Sequence, residues 1–181
     1  LRDLFALLTL DGPAGEAASS RIPGALEAHA RGSDDPDTMR ALLGWVLPDF
    51  GCREVGEGGM ELLTEHAGRR GAIRVHPIDR ETPCRIEGKI EVPRGERVVW
   101  RLPLSHDPRG DWRVVVRVDG EMVADESIGT ATVRDGWLDL QLDLTRWAGQ
   151  QVDLSIDCTA SGWSWEFAYL GRATWKIDGA E

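Results

Sequence analysis

In the stretch SGWSWEFAYLG, residues 161–171, Trp163, Trp165, Phe167 and Tyr169 occupy every second position, and Ser164, Glu166 and Ala168 lie between them. A spacing of two is one face of a β-strand. Two kinds of chemistry suit such a row. As a core wall, each ring stabilises the fold by roughly 2–3 kcal/mol on full burial, and Trp165 and Phe167 are expected to serve this way. As a platform, an exposed indole or phenol stacks on the C–H edge of a pyranose while polar neighbours bond its hydroxyls. Trp163 follows the turn signal TASG, and Tyr169 carries a hydroxyl that needs a partner. These two are the leading ligand contacts, with Trp165 the ring between them.

Two polar clusters could complete such a site. SHDPRGDW, residues 105–112, concentrates His106, Asp107, Arg109 and Asp111. Arg109 would bond adjacent hydroxyls or a sugar carboxylate, and Asp107 would accept from hydroxyls. The plainer reading is a solvated turn that Asp107-Pro108 starts and Gly110 relaxes. HPIDRETP, residues 76–83, holds His76, Asp79, Arg80 and Glu81. Here His76 and Arg80 are the candidate contacts. The competing reading has His76 donating to a backbone carbonyl and fixing a corner. If both loops share a rim, they form one polar site.

The sequence carries no GxSxG, HExxH, phosphate-loop or dinucleotide fingerprint. A glycosidase needs two carboxylates flanking a cleft. Glu166 is the one carboxylate among the aromatics, and the alternation points it away from them, toward an Arg on a neighbouring strand. Independent enzymatic activity and a cofactor are therefore not expected. Asp119, Glu121, Asp125 and Glu126 crowd one hairpin, but without EF-hand spacing. They are read as a structural Ca²⁺ candidate or as a solvated acidic turn.

The elements that must position these residues change character near residue 50. Before it, LRDLFALL has a helical stripe, and residues 11–20 read as loop. DDPDTMRALLGWVLPDF predicts a helix over 36–46: Asp35 caps it, Pro36 suits the first position, and Pro48 ends it. Met39, Leu42, Trp45 and Val46 form its apolar face.

From residue 51 the period becomes two. RIEGKIEV, VVWRLPL, WRVVVRV, WLDLQLDL and QVDLSIDC all alternate, and EMVADE, GMELLTEH, AIRVHPI and ATWKID bring the total to about nine strands. Asp119-Gly120 reads as a hairpin turn into EMVADE. Short alternating strands with no helices between them predict an antiparallel β-sandwich. The expected division is a helical or irregular segment 1–50 and a sandwich 51–181.

The net charge of −10, without a basic stripe, opposes binding to nucleic acid. No run of apolar residues is long enough to span a bilayer. Cys52, Cys84 and Cys158 have no zinc-ligand spacing. Cys158 continues the apolar face of Val152, Leu154 and Ile156, and Cys52 and Cys84 are candidates to pair.

LDLTRWAGQQVDLSIDC resembles the penultimate connection of galactose-binding-like jelly rolls. Asp143, Leu144, Trp147, Ala148, Gly149 and Val152 fill the corresponding places. Trp147 would cap one end of the sandwich, and Gly149 would supply a positive φ. A broader resemblance covers about residues 59–178. VHPIDRETPCRIEGKIEVPRG, LSHDPRGDWRVVVRVDG and SGWSWEFAYLG look like β-sandwich modules appended to large exported bacterial multidomain proteins, similar to carbohydrate-binding modules beside glycoside hydrolases. The resemblance implies a secreted, periplasmic or cell-surface location. It also implies a non-catalytic module that binds polysaccharide or oligosaccharide beside neighbouring domains of a parent chain. The alternatives are a structural or protein-interaction sandwich with no small ligand, and a glycoside hydrolase or lyase domain.

Overall fold

A computed structural model describes residues 32–179. The stripe at residues 1–8 and the loop at 11–20 lie outside this range. The first element is helix α1, Pro36–Leu43, with Asp35 as its cap: the Asp35 carboxylate accepts the Thr38 N–H at 2.9 Å. Met39, Leu42 and Leu43 are buried, and with Val46 and Leu47 they join the same core as both sheets. The helix is shorter than expected. Residues 44–46 continue as a turn, with Trp45 half-buried.

Eleven strands follow in two antiparallel sheets. They are β1 (Phe50–Cys52), β2 (Glu61–His66), β3 (Arg69–Val75), β4 (Cys84–Glu91), β5 (Arg97–His106), β6 (Trp112–Val118), β7 (Glu121–Ile128), β8 (Leu138–Asp143), β9 (Gln151–Ala160), β10 (Ala168–Leu170) and β11 (Thr174–Asp178). One sheet runs β1-β4-β9-β6-β7; the other runs β11-β5-β10-β3-β2, with β8 also paired to β5. The ten-residue β5 meets β8 along one edge, and β11 then β10 along the other. The expected all-β sandwich is the observed fold.

The alternation explains the layers. Val98, Trp100, Leu102 and Leu104 of β5 face Trp112, Val114, Val116 and Val118 of β6 across one core, all buried. Ile86, Val152, Leu154, Ile156 and Cys158 belong to the same core. Asp119 and Gly120 turn the β6–β7 hairpin with φ of 49° and 81°, the left-handed pair that a two-residue hairpin requires. Gly149 has φ 74° and Trp147 is buried, as their sequence context predicts.

Beyond the shorter helix, two expectations fail: β1 and β10 add to the nine strands expected, and the aromatic segment folds differently. The aromatic row is not a single strand: β9 ends at Ala160, residues 161–167 form an irregular loop, and only Ala168–Leu170 are extended. The alternation breaks at Trp165, whose φ is 62°.

Candidate functional site

The register brings three loops to one end of the sandwich. Ala168 of β10 pairs with Val75 at the end of β3 and with His106 at the end of β5. Ala160 at the end of β9 pairs with Trp112 at the start of β6. Loops 76–83, 107–111 and 161–167 therefore all leave the same edge, each crossing between the sheets.

The 161–167 loop is organised from within. Glu166, 2% exposed, accepts the N–H groups of Ser161 and Gly162 at 2.9 Å each and of Ser164 at 3.4 Å. Charge-assisted bonds of this kind are stronger than neutral ones and hold the loop in one shape. The expected Arg partner for Glu166 is absent among the described residues; the backbone takes its place. Ser161 Oγ also donates to Asp111, tying this loop to its neighbour. Gly110 lies so close that an added Cβ would sit 2.4 Å from the Ser164 carbonyl oxygen and 2.6 Å from that of Trp165. Only glycine permits that approach.

This frame displays Trp163 and Trp165, which are 39% and 45% exposed. Holding an indole in a left-handed backbone conformation costs on the order of 1–2 kcal/mol. The Arg109 guanidinium lies 3.2 Å from the Trp165 ring centre. Asp107 holds that same guanidinium at 2.8 Å through both Nε and Nη2. These bonds keep the buried Asp107 carboxyl below the usual carboxylate range. Trp163 stands edge-on to His76 at 5.2 Å, and Phe167 does the same at 5.1 Å.

The polar candidates divide. His76 Nδ1 is 2.7 Å from the Pro77 carbonyl, and His106 Nδ1 is 2.7 Å from that of Asp107 and 2.8 Å from that of Gly110. Carbonyls only accept, so both rings donate to the backbone and brace corners. Arg80 is exposed at the tip of a turn built on Asp79, which accepts the N–H groups of Glu81 and Thr82. It joins none of the contacts around the tryptophans.

Tyr169 and Trp165 exchange their expected environments. Trp165, expected in the core, is on the surface. Tyr169, 7% exposed, lies on the outer sheet face: its neighbours Ala168 and Leu170 are the ones that point into the core. It is covered by His66, which stacks on it at 3.8 Å and 4°. His66 Nε2 is 3.0 Å from Ser105 Oγ. Burial pushes the Tyr169 phenol up and the His66 imidazole down.

Sequence reasoning missed Arg74, whose guanidinium lies 4.8 Å over Phe167 and which pairs with Glu61 at 2.8 Å. It also missed His66, at the end of β2; nothing in the strand pattern marks either residue.

Two other places were candidates. The outer face of the five-stranded sheet has a depression of about 670 Å³ whose lining includes Arg85, Glu87, Lys89, Arg117, Asp153 and Ser155. None of its lining residues is aromatic. Its charges are already engaged: buried Asp157 holds Arg85 and Arg117, Asp153 holds Lys89, and Glu87 pairs with Arg53. The acidic hairpin does not converge either. Asp125 pairs with Arg113, Glu121 with Arg146, and Asp119 accepts the Asp153 N–H. Among the described residues no three His, Cys, Asp or Glu groups gather as a metal site, and no helix is long and apolar enough to cross a membrane.

No family model and no curated protein matches the chain. Solved structures of similar fold include carbohydrate-binding modules. One is the CBM36-1 domain of a multidomain xylanase from the hindgut metagenome of Trinervitermes trinervoides (13% identity, TM-score 0.46, 71% of this chain and 95% of that one). Another is a family 35 carbohydrate binding module from an environmental isolate (11% identity, TM-score 0.46, 69% and 93%). Part of the secreted serine protease VesC from Vibrio cholerae also has a similar fold (13% identity, TM-score 0.49, 82% of this chain and 29% of that one).

Proposed function

We propose that the domain is a non-catalytic carbohydrate-binding module and that Trp163 and Trp165 form its stacking platform. The observation that carries this reading is the loop itself. A buried carboxylate, a strained backbone and a glycine contact combine to hold two indoles in water, where a core role would have put them inside. Exposed aromatics on a preformed frame lose little freedom when a ligand stacks on them. Asp107 and Arg109 lie beside the platform as polar contacts for sugar hydroxyls. Asp107 and Glu166 are both engaged in bonds that serve positioning, which favours binding over acid–base chemistry.

With two rings and a few hydrogen bonds, affinity falls on the order of micromolar to millimolar. A weak module of this kind acts by raising the local concentration of neighbouring domains at a polysaccharide, which fits a secreted, periplasmic or cell-surface parent chain. The test is a tryptophan-fluorescence titration of the protein against a panel of soluble polysaccharides and oligosaccharides. Saturable binding that is lost in Trp163→Ala and Trp165→Ala supports the reading. A flat response from the folded protein across the panel overturns it in favour of a protein-interaction module.

A further inference from the structure

The three cysteines are all buried, but they are not equivalent. Cys52 closes β1 and Cys84 opens β4, and their sulfurs are 3.6 Å apart. We propose that Cys52 and Cys84 form an intramolecular disulfide when the chain folds under oxidising conditions, and that Cys158 stays a thiol.

The register places the pair. Cys52 lies opposite Ile86 on β4, so Cys84 is the next residue on the same face and meets Cys52 diagonally. A disulfide bond is about 2.05 Å long, so the sulfurs must close by about 1.5 Å. Cys52 can supply that movement because it is the last residue of β1, and residues 53–56 beyond it have no ladder. Cys158 stands directly opposite Cys84 in the register, but β9 is hydrogen-bonded on both sides, to β4 and β6, and cannot shift. The sulfur contact accordingly joins Cys84 to Cys52.

The chemistry balances with one co-reactant, a small-molecule disulfide such as oxidised glutathione. The contact between the two sulfurs draws the Cys52 thiol below its ordinary value, while the same contact and then burial push Cys84 up. Cys52 ends an edge strand, whereas Cys84 lies on β4 between β1 and β9, so Cys52 is the attacking thiolate. It forms a mixed disulfide and releases one reduced glutathione; Cys84 gives up its proton, attacks that disulfide and releases the second. Two protein thiols are oxidised and one glutathione disulfide is reduced. The bond links residues 32 apart and staples β1, a three-residue edge strand, together with α1 beside it, to the sheet.

The full chain is refolded in parallel in oxidised and reduced glutathione and in dithiothreitol. The oxidised protein is expected to show one titratable thiol instead of three, and a non-reduced digest is expected to link the Cys52 and Cys84 peptides. Its Tm should rise by about 10 °C over the reduced form. Cys158→Ser should form the same link, and Cys52→Ser should not. Three free thiols after oxidative refolding of a protein with native circular dichroism, or a link between Cys84 and Cys158, would overturn the proposal.

Discussion

The Arg109 guanidinium lies against the Trp165 ring, 3.2 Å from its centre, while Asp107 grips the same group at 2.8 Å. The cation that pins the indole is already neutralised, so the exposed ring is held by a contact that does not itself demand a counter-ion from solvent. The loops after β5 and β9 are joined through this stack and through Gly110, which lets the two backbones touch.

Trp163→Ala and Trp165→Ala are each expected to weaken oligosaccharide binding at least tenfold, about 1.4 kcal/mol. Both rings are exposed, so stability should change little; Trp165→Ala loses about 0.5–1 kcal/mol with its cation–π contact. Isothermal calorimetry for binding and differential scanning fluorimetry for Tm separate the two effects. Equal losses of binding and of Tm would show that the rings serve the fold.

Glu166→Gln keeps the side chain's shape but turns an amide toward backbone donors. The expected cost is about 1–3 kcal/mol, with faster proteolysis within residues 161–167 and weaker binding despite intact tryptophans. Far-UV circular dichroism should be unchanged, because the strands on either side are paired independently of the carboxylate. Limited proteolysis with mass-spectrometric mapping reads the outcome.

Acid should release Asp107. Its folded-state pKa is depressed, so its contribution is complete above the ordinary aspartate value of about 3.9 and is lost as pH falls through the lower folded value. The Tm gap between wild type and Asp107→Asn should be constant from about pH 7 to pH 5 and narrow below about pH 4. A gap that does not vary with pH would mean that the Arg109 pair carries no net charge stabilisation.

His66 also costs stability as pH falls, but in a higher pH window. Burial against Tyr169 lowers its folded pKa, so the unfolded chain takes up the proton first as pH drops through the ordinary histidine value of about 6.5. Wild-type stability should therefore decline between about pH 7 and pH 5, and the slope should be shallower in His66→Asn. Denaturant titrations at each pH measure both.

The sandwich was legible in the sequence because alternation is a local property. Trp112, Val114, Val116 and Val118 must share a face whatever packs against them, and Asp119-Gly120 can turn the chain without outside help. The helix after Asp35 was readable for the same reason, since its cap and its proline act within one turn. Alternation failed in the aromatic segment because it counts residues on the premise that the backbone stays extended. At Trp165 the backbone is left-handed, with Glu166 gathering the N–H groups of Ser161, Gly162 and Ser164 around itself.

By itself, then, the sequence determined nine of the eleven strands and their faces, but not β1 or the short β10, together with the hairpin at Asp119-Gly120 and the presence of aromatic and charged residues in three connections. Tertiary structure alone decided which rings meet water. Tyr169 is covered because His66, about a hundred residues earlier, reaches it across β3; Trp165 is uncovered because the loop carrying it packs its backbone, and not its indole, on Gly110. Solvent exposure depends on what distant segments place over a side chain, and no pattern within one strand contains that information.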